Sequence, residues 1–83
     1  MNDAGSMNIT LLAFGPLAET LNWKRHELNL PYSTKIDTVL QILAIDDWKN
    51  RGLVVAINGL QCEFDTVLVD GDELAFLPPV SGG

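Results

Sequence analysis

From Asn8 to Phe14 the chain alternates: Ile9, Leu11 and Ala13 fall on one side, Asn8, Thr10, Leu12 and Phe14 on the other. This is the period of two that a half-buried strand requires. Gly15-Pro16 interrupts the pattern, and Leu17 to Leu21 is expected to form one short helical turn before Asn22. A second strand is predicted over Lys24 to Leu30, with His26, Leu28 and Leu30 facing one way, and Pro31 ends it. The period then changes. Ile36, Val39, Leu40 and Leu43 recur at helical spacing, so one stripe of a helix can cover a sheet. Thr34 followed by Asp37 has the form of a capping box and puts an acid at the positive end of the helix dipole. The helix is expected to fade near Ala44 to Asp47. Leu53 to Ile57 is a β-branched run closed by the turn signal Asn58-Gly59, after which Leu60 to Phe64 returns as a short strand. Asp70-Gly71-Asp72 then turns the chain into a last strand, Glu73 to Leu77.

The order strand, strand, helix, strand, short strand, strand predicts an α+β domain of the β-grasp type. A mixed sheet of four to five strands should carry one main helix across one face, with the first and last strands adjacent and parallel. Residues 1–6 are small and polar without periodicity and read as a flexible leader, or as residues upstream of a start at Met7. Residues 7–77 make the domain, and 78–83 an extended C-terminal tail. A chain of 83 residues has core enough for one such domain and no second.

A hydrophobic content of 47% with 19% charged residues describes a folded protein. Eleven acidic against five basic side chains, a net charge of −6, argue against nucleic acid, which needs clustered Lys and Arg. The acidity suits partners that are basic around their docking surface, and it equally suits solubility. The lone Cys62 has no internal disulfide partner, and neither a signal peptide nor an apolar run of membrane-spanning length is evident, so the cytosol is the expected compartment.

His26 and Cys62 are far apart and sit in no catalytic motif, so no hydrolase constellation is available and an active site within the chain is not expected. Cys62 is expected to fill a half-buried strand position and His26 the surface. Asp70, Asp72 and Glu73 lack the alternation of a calcium loop and read as a solvated turn. Trp23 and Trp48 read as packing under loops rather than as a stacking platform. More informative is the sheet face away from the helix, where Thr10 gives way to Leu12 and Phe14, and Glu73 to Ala75 and Leu77. Unless a loop or the leader covers them, Phe14 and Leu77 form an apolar patch beside the tail. In the tail, Pro78-Pro79 keeps the chain extended, and Gly82-Gly83 can thread a channel too narrow for side chains. The Gly83 carboxylate is ionised at neutral pH and unreactive until another enzyme activates it.

Ala75-Phe76-Leu77-Pro78-Pro79-Val80-Ser81-Gly82-Gly83 resembles the C-terminal signature of the small subunit of molybdopterin synthase. The similarity extends through Asp70-Gly71-Asp72-Glu73, Asn58, Phe64-Asp65 and, more loosely, Leu11 to Glu19. The resemblance implies a ubiquitin-like sulfur carrier with no metal and no permanently bound cofactor. A ubiquitin-activating-type adenylyltransferase would use ATP to adenylate Gly83, and a sulfur donor protein would displace AMP to leave a thiocarboxylate. The carrier would then insert Pro78, Pro79, Val80, Ser81, Gly82 and Gly83 into the large synthase subunit, in a heterotetramer that converts cyclic pyranopterin monophosphate to molybdopterin. The bases would belong to the large subunit. Phe14 and Leu77 match two of the family's apolar docking positions. A third falls on Gln61, so either the neighbouring Leu60 substitutes or that contact is weaker. The family's frequent Arg-Glu is Ala18-Glu19 here, which removes the arginine. Related carriers serve thiamin synthesis, and related modifiers use the same terminus for tRNA thiolation or lysine attachment.

Overall fold

Two neighbouring strands, β1 (Ser6–Ala13) and β2 (Arg25–Pro31), pair antiparallel and are joined through the short helix α1 (Gly15–Leu21). The computed structural model describes residues 5–79. Beyond β2 come α2 (Ile36–Ile42), a 3₁₀ helix (Asp46–Arg51), β3 (Val54–Ile57), β4 (Leu60–Cys62) and β5 (Glu73–Leu77). They complete a five-stranded mixed sheet in the order β2-β1-β5-β3-β4, with β1 and β5 parallel at its centre. This is the β-grasp arrangement expected from the alternation. The residues between α2 and β3 form the 3₁₀ helix, which the apolar period did not foretell.

The register decides which side chains are covered. Met7, Ile9, Leu11 and Ala13 of β1, with Leu74 and Phe76 of β5 and Val55 of β3, are buried on one face. There they join Ile36, Val39 and Leu40 of α2 and Leu17 of α1, except that Ala13 lies outside the main cluster. Each large side chain of this kind contributes about 1.5–3 kcal/mol by leaving water.

Several boundaries differ from expectation for identifiable reasons. β1 begins at Ser6, which pairs with Pro31, and Tyr32 N–H donates to the Gly5 carbonyl at 3.1 Å, so these two residues belong to the fold. Thr34 does not cap α2: its hydroxyl donates to the Pro31 carbonyl at 2.7 Å, and Lys35 is the N-cap without a side-chain bond. The first helical N–H groups instead find carbonyls from across the fold, Ile36 donating to Thr66 and Asp37 to Phe64. Such partners satisfy the orphan donors that a local cap would otherwise serve. The 3₁₀ helix carries Asp46 and Asp47 in its first turn and Lys49 and Arg51 in its last, the polarity its dipole favours. Lys49 Nζ donates to Asp37 Oδ1 at 2.7 Å and stands 5.6 Å from the Phe64 ring, tying this helix to α2.

Asn58 fixes the β3–β4 turn to the start of β5. It takes a φ of +51° and the following Gly59 +88°, both positive as a two-residue hairpin of type I′ requires. Its amide donates to Asp72 Oδ1 at 3.1 Å, and its side-chain oxygen accepts the Glu73 N–H at 3.0 Å. The other oxygen of the buried Asp72 accepts the Val69 N–H at 2.9 Å. Asn58→Ala removes two of these bonds and places alanine in a left-handed conformation. The expected loss is about 2–4 kcal/mol, measured as a lower urea midpoint at unchanged slope.

Candidate functional site at the end of the central strands

On the uncovered face the sheet grades from polar to apolar along β1 and β5. Asn8 and Asn29 face each other at one end, the Asn29 amide donating to Asn8 Oδ1 at 2.9 Å. Thr10 follows, flanked by Glu27 and Glu73, and then Leu12, flanked by Arg25 and Ala75. Continuing the parallel register one step past Ala13↔Phe76 sets Phe14 beside Leu77. Phe14 is 46% exposed and Leu77 37%, so the patch expected from alternation is present and uncovered by the described residues. Phe14 remains extended, with φ −131° and ψ 153°, and at the same time serves as the N-cap of α1, which is why its side chain keeps the strand's alternation.

Val54 extends the patch. Its pairing with Leu77 puts it on the same face, half-buried. It carries no local signal in the sequence, because the run Leu53 to Ile57 has no alternation of its own. Its signal is the register to β5.

Leu60 lies elsewhere. It is 75% exposed, yet the tight Asn58-Gly59 turn pairs it with Ile57 and hence with the helix-bearing face. Gln61 pairs with Ala56, itself opposite Ala75, so Gln61 occupies the open-face position and Leu60 does not share that face.

β5 ends where Pro78 and Pro79 remove the next two donors. The chain nevertheless continues along the ladder's direction. Two further steps of register would set Pro78 beside Gly15 on one flank and Pro79 opposite Gly52 on the other. The contacts agree: the Cβ position of Gly15 lies 3.8 Å from Pro78 Cγ, and that of Gly52 lies 3.4 Å from Pro79 Cβ. Both glycines have positive φ, +55° and +98°. A shallow cavity of about 370 Å³ adjoins this exit, lined by Gly15, Ala18, Glu19, Asn22, Trp23 and Lys24. Val80, Ser81, Gly82 and Gly83 lie outside the described residues, as do residues 1–4.

Other candidates have structural roles. Cys62 is half-buried, and burial pushes its thiol up from the ordinary value, away from thiolate character. His26 is exposed and stacks on Trp23 with ring centres 5.1 Å apart. Trp48 packs against the core and carries the Arg51 guanidinium 4.9 Å from its ring. Among the described residues no group of three His, Cys, Asp or Glu side chains is placed to hold a metal, and no helix is long and apolar enough to cross a membrane.

Comparison with known proteins agrees with this geometry. The molybdopterin synthase sulfur carrier subunit of Escherichia coli is 51% identical over 41 residues, a match that spans 49% of this chain and about half, 47%, of that protein's length. A chain in the complex of subunits 1 and 2 of molybdopterin-converting factor from Helicobacter pylori superposes with a TM-score of 0.63 at 25% identity, covering 93% of this chain and all of that one. Small archaeal modifier protein 1 from Methanosarcina acetivorans superposes with a TM-score of 0.71 at 25% identity, covering 94% and 98%. The pattern of the ThiS family matches residues 11–83, from the middle of β1 through the diglycine. With its β-grasp sheet, its parallel central pair and this match over most of its length, the chain belongs to the ThiS family.

Proposed function

We propose that this protein is the sulfur carrier of a molybdopterin synthase and that Gly83 is its working residue. An adenylyltransferase transfers AMP from ATP to the Gly83 carboxylate, releasing pyrophosphate. A sulfur donor then displaces AMP, leaving a thiocarboxylate. The tail enters the large synthase subunit, where the thiocarboxylate sulfur bonds to cyclic pyranopterin monophosphate and water then cleaves the acyl–sulfur bond, returning the Gly83 carboxylate. This chain contributes an electrophilic carbon in the acyl-adenylate, a nucleophilic sulfur in the thiocarboxylate, and the delivery of both, while proton transfer falls to the partner's side chains. The observation that carries the reading is the exit of β5: an apolar patch of Phe14, Val54 and Leu77 lies at the root of a proline-stiffened tail. The name of the Escherichia coli relative and the two-subunit Helicobacter pylori complex support it.

Incubation with the activating enzyme, ATP and a sulfur source should raise the intact mass by about 16 Da, the exchange of one oxygen for sulfur at the terminal carboxylate. No mass gain counts against the reading. The archaeal modifier's similar fold favours a second reading, attachment to lysines. Lysine-linked Ser81-Gly82-Gly83 remnants on other cellular proteins would establish it.

Leu77→Asp and Phe14→Asp are each expected to weaken binding to the large subunit about tenfold or more, since a charge must be desolvated at the centre of the contact. Calorimetric titration reads the affinity, and circular dichroism should show both variants folded. Unfolding of either would assign these side chains to the core.

A further inference from the structure

We infer that Gly15 and Gly52 are positioning residues that set the direction in which the tail leaves the domain; this rests on the carrier reading above. Hydrogen bonds cannot hold Pro78 and Pro79 in the sheet as donors, because neither has an N–H. A chain that simply ended its ladder at Leu77 would be free to leave at any angle. Instead each proline ring meets a glycine on its own flank. The Gly15 Cβ position is 3.8 Å from Pro78 Cγ, and the Gly52 Cβ position is 3.4 Å from Pro79 Cβ and 3.9 Å from its Cγ. A methyl at Gly52 would make ordinary van der Waals contact with the Pro79 ring, so a longer side chain directed toward the tail would press on that ring.

The two glycines are held independently of the tail. Gly52 is the left-handed C-cap of the 3₁₀ helix, its N–H donating to the Lys49 carbonyl at 3.3 Å. Gly15 is the first residue of α1, next to Phe14, whose carbonyl accepts from Leu17 and Ala18. Two separate helical segments therefore end or begin with a bare backbone at the two sides of one exit. The other described glycines with positive φ, Gly59 and Gly71, have no atom within 4 Å of their Cβ positions. A side chain there would meet open space, whereas one at Gly15 or Gly52 would touch a tail proline. The notch keeps the first two tail residues in line with β5, so the carboxylate four residues later starts from a fixed direction and fewer misdirected conformations compete with insertion.

Gly52→Asn is the test, with Gly71→Asn as its control. Asparagine tolerates left-handed φ better than other side chains, and the two sites have similar φ, +98° and +88°. The strain should be comparable, while only the Gly52 side chain reaches the tail. In the wild type, cross-relaxation between Gly52 Hα and the Pro79 ring protons should be detected by NMR; it should vanish in Gly52→Asn and persist in Gly71→Asn. In adenylation by the activating enzyme, Gly52→Asn should lower kcat about ten- to a hundredfold with little change in KM, since the docking patch is intact. Gly71→Asn should remain near wild type at a matched loss of Tm. Equal losses in both variants, or in neither, overturn the inference. If Gly52→Asn does not fold, Gly52→Asp replaces it under the same criteria, with Gly71→Asp as its control. If the wild type itself is not adenylated, the carrier reading fails separately, and absence of the Gly52–Pro79 signal overturns the notch.

Discussion

One residue added after Gly83 will abolish adenylation, with no mass gain under conditions that convert the wild type completely. The four residues beyond Pro79 reach about 14 Å at most, and an added residue moves the terminal carboxylate by about 3.5 Å. Reacting atoms must approach within about 3–3.5 Å, so a shift of that size removes the acid from the nucleotide altogether. The patch of Phe14 and Leu77 is untouched by the change, and binding of the body to its partners should survive. Intact mass and ATP–pyrophosphate exchange check the result. Full activity of the extended chain would reject a mechanism based on the terminal acid.

Phe76→Ala will be the most damaging single truncation in the sheet. Phe76 is fully buried, pairs with Ala13 on one side and Val55 on the other, and belongs to the main core cluster. Removing its ring from a packed interior costs about 3–5 kcal/mol. Small domains are stable by only about 5–15 kcal/mol, so the variant should lose a large share of its stability and melt far below the wild type. Its neighbour Leu77, one residue along but on the opposite face, is expected to tolerate even aspartate with the fold intact. Thermal denaturation of the two variants side by side reads this contrast. Equal stability would show that the two faces are not distinguished as the register requires.

Where a side chain's partner was fixed by local geometry, the sequence was legible. The alternation of β1 separated Leu11 from Leu12 and placed Phe14 on the open face, because a strand's period is set by its own backbone. Positions that depend on distant segments were not readable in that way. Thr34 has the composition of a cap, yet carbonyls of Phe64 and Thr66, some thirty residues on, serve α2. The 3₁₀ helix has no apolar period to betray it, since its buried contact is made chiefly by Trp48. Leu60 could have been assigned from sequence: a two-residue turn dictates that Ile57 and Leu60 share a face. The notch of Gly15 and Gly52 could not, because it exists only once β5 is registered against both neighbours.

That register carries a consequence for biosynthesis. β5 is the last strand in chain order yet lies between β1 and β3, so its slot is lined by segments that leave the ribosome earlier. Pairing Thr10 with Glu73 closes a long loop, a slow kind of contact that rewards the chain only late in folding. Until β5 inserts, Phe14 has no Leu77 beside it and the prolines have no seat. An incompletely folded molecule therefore presents neither the patch nor the directed terminus, and under the proposed function ATP would not be spent on carriers that could not deliver sulfur.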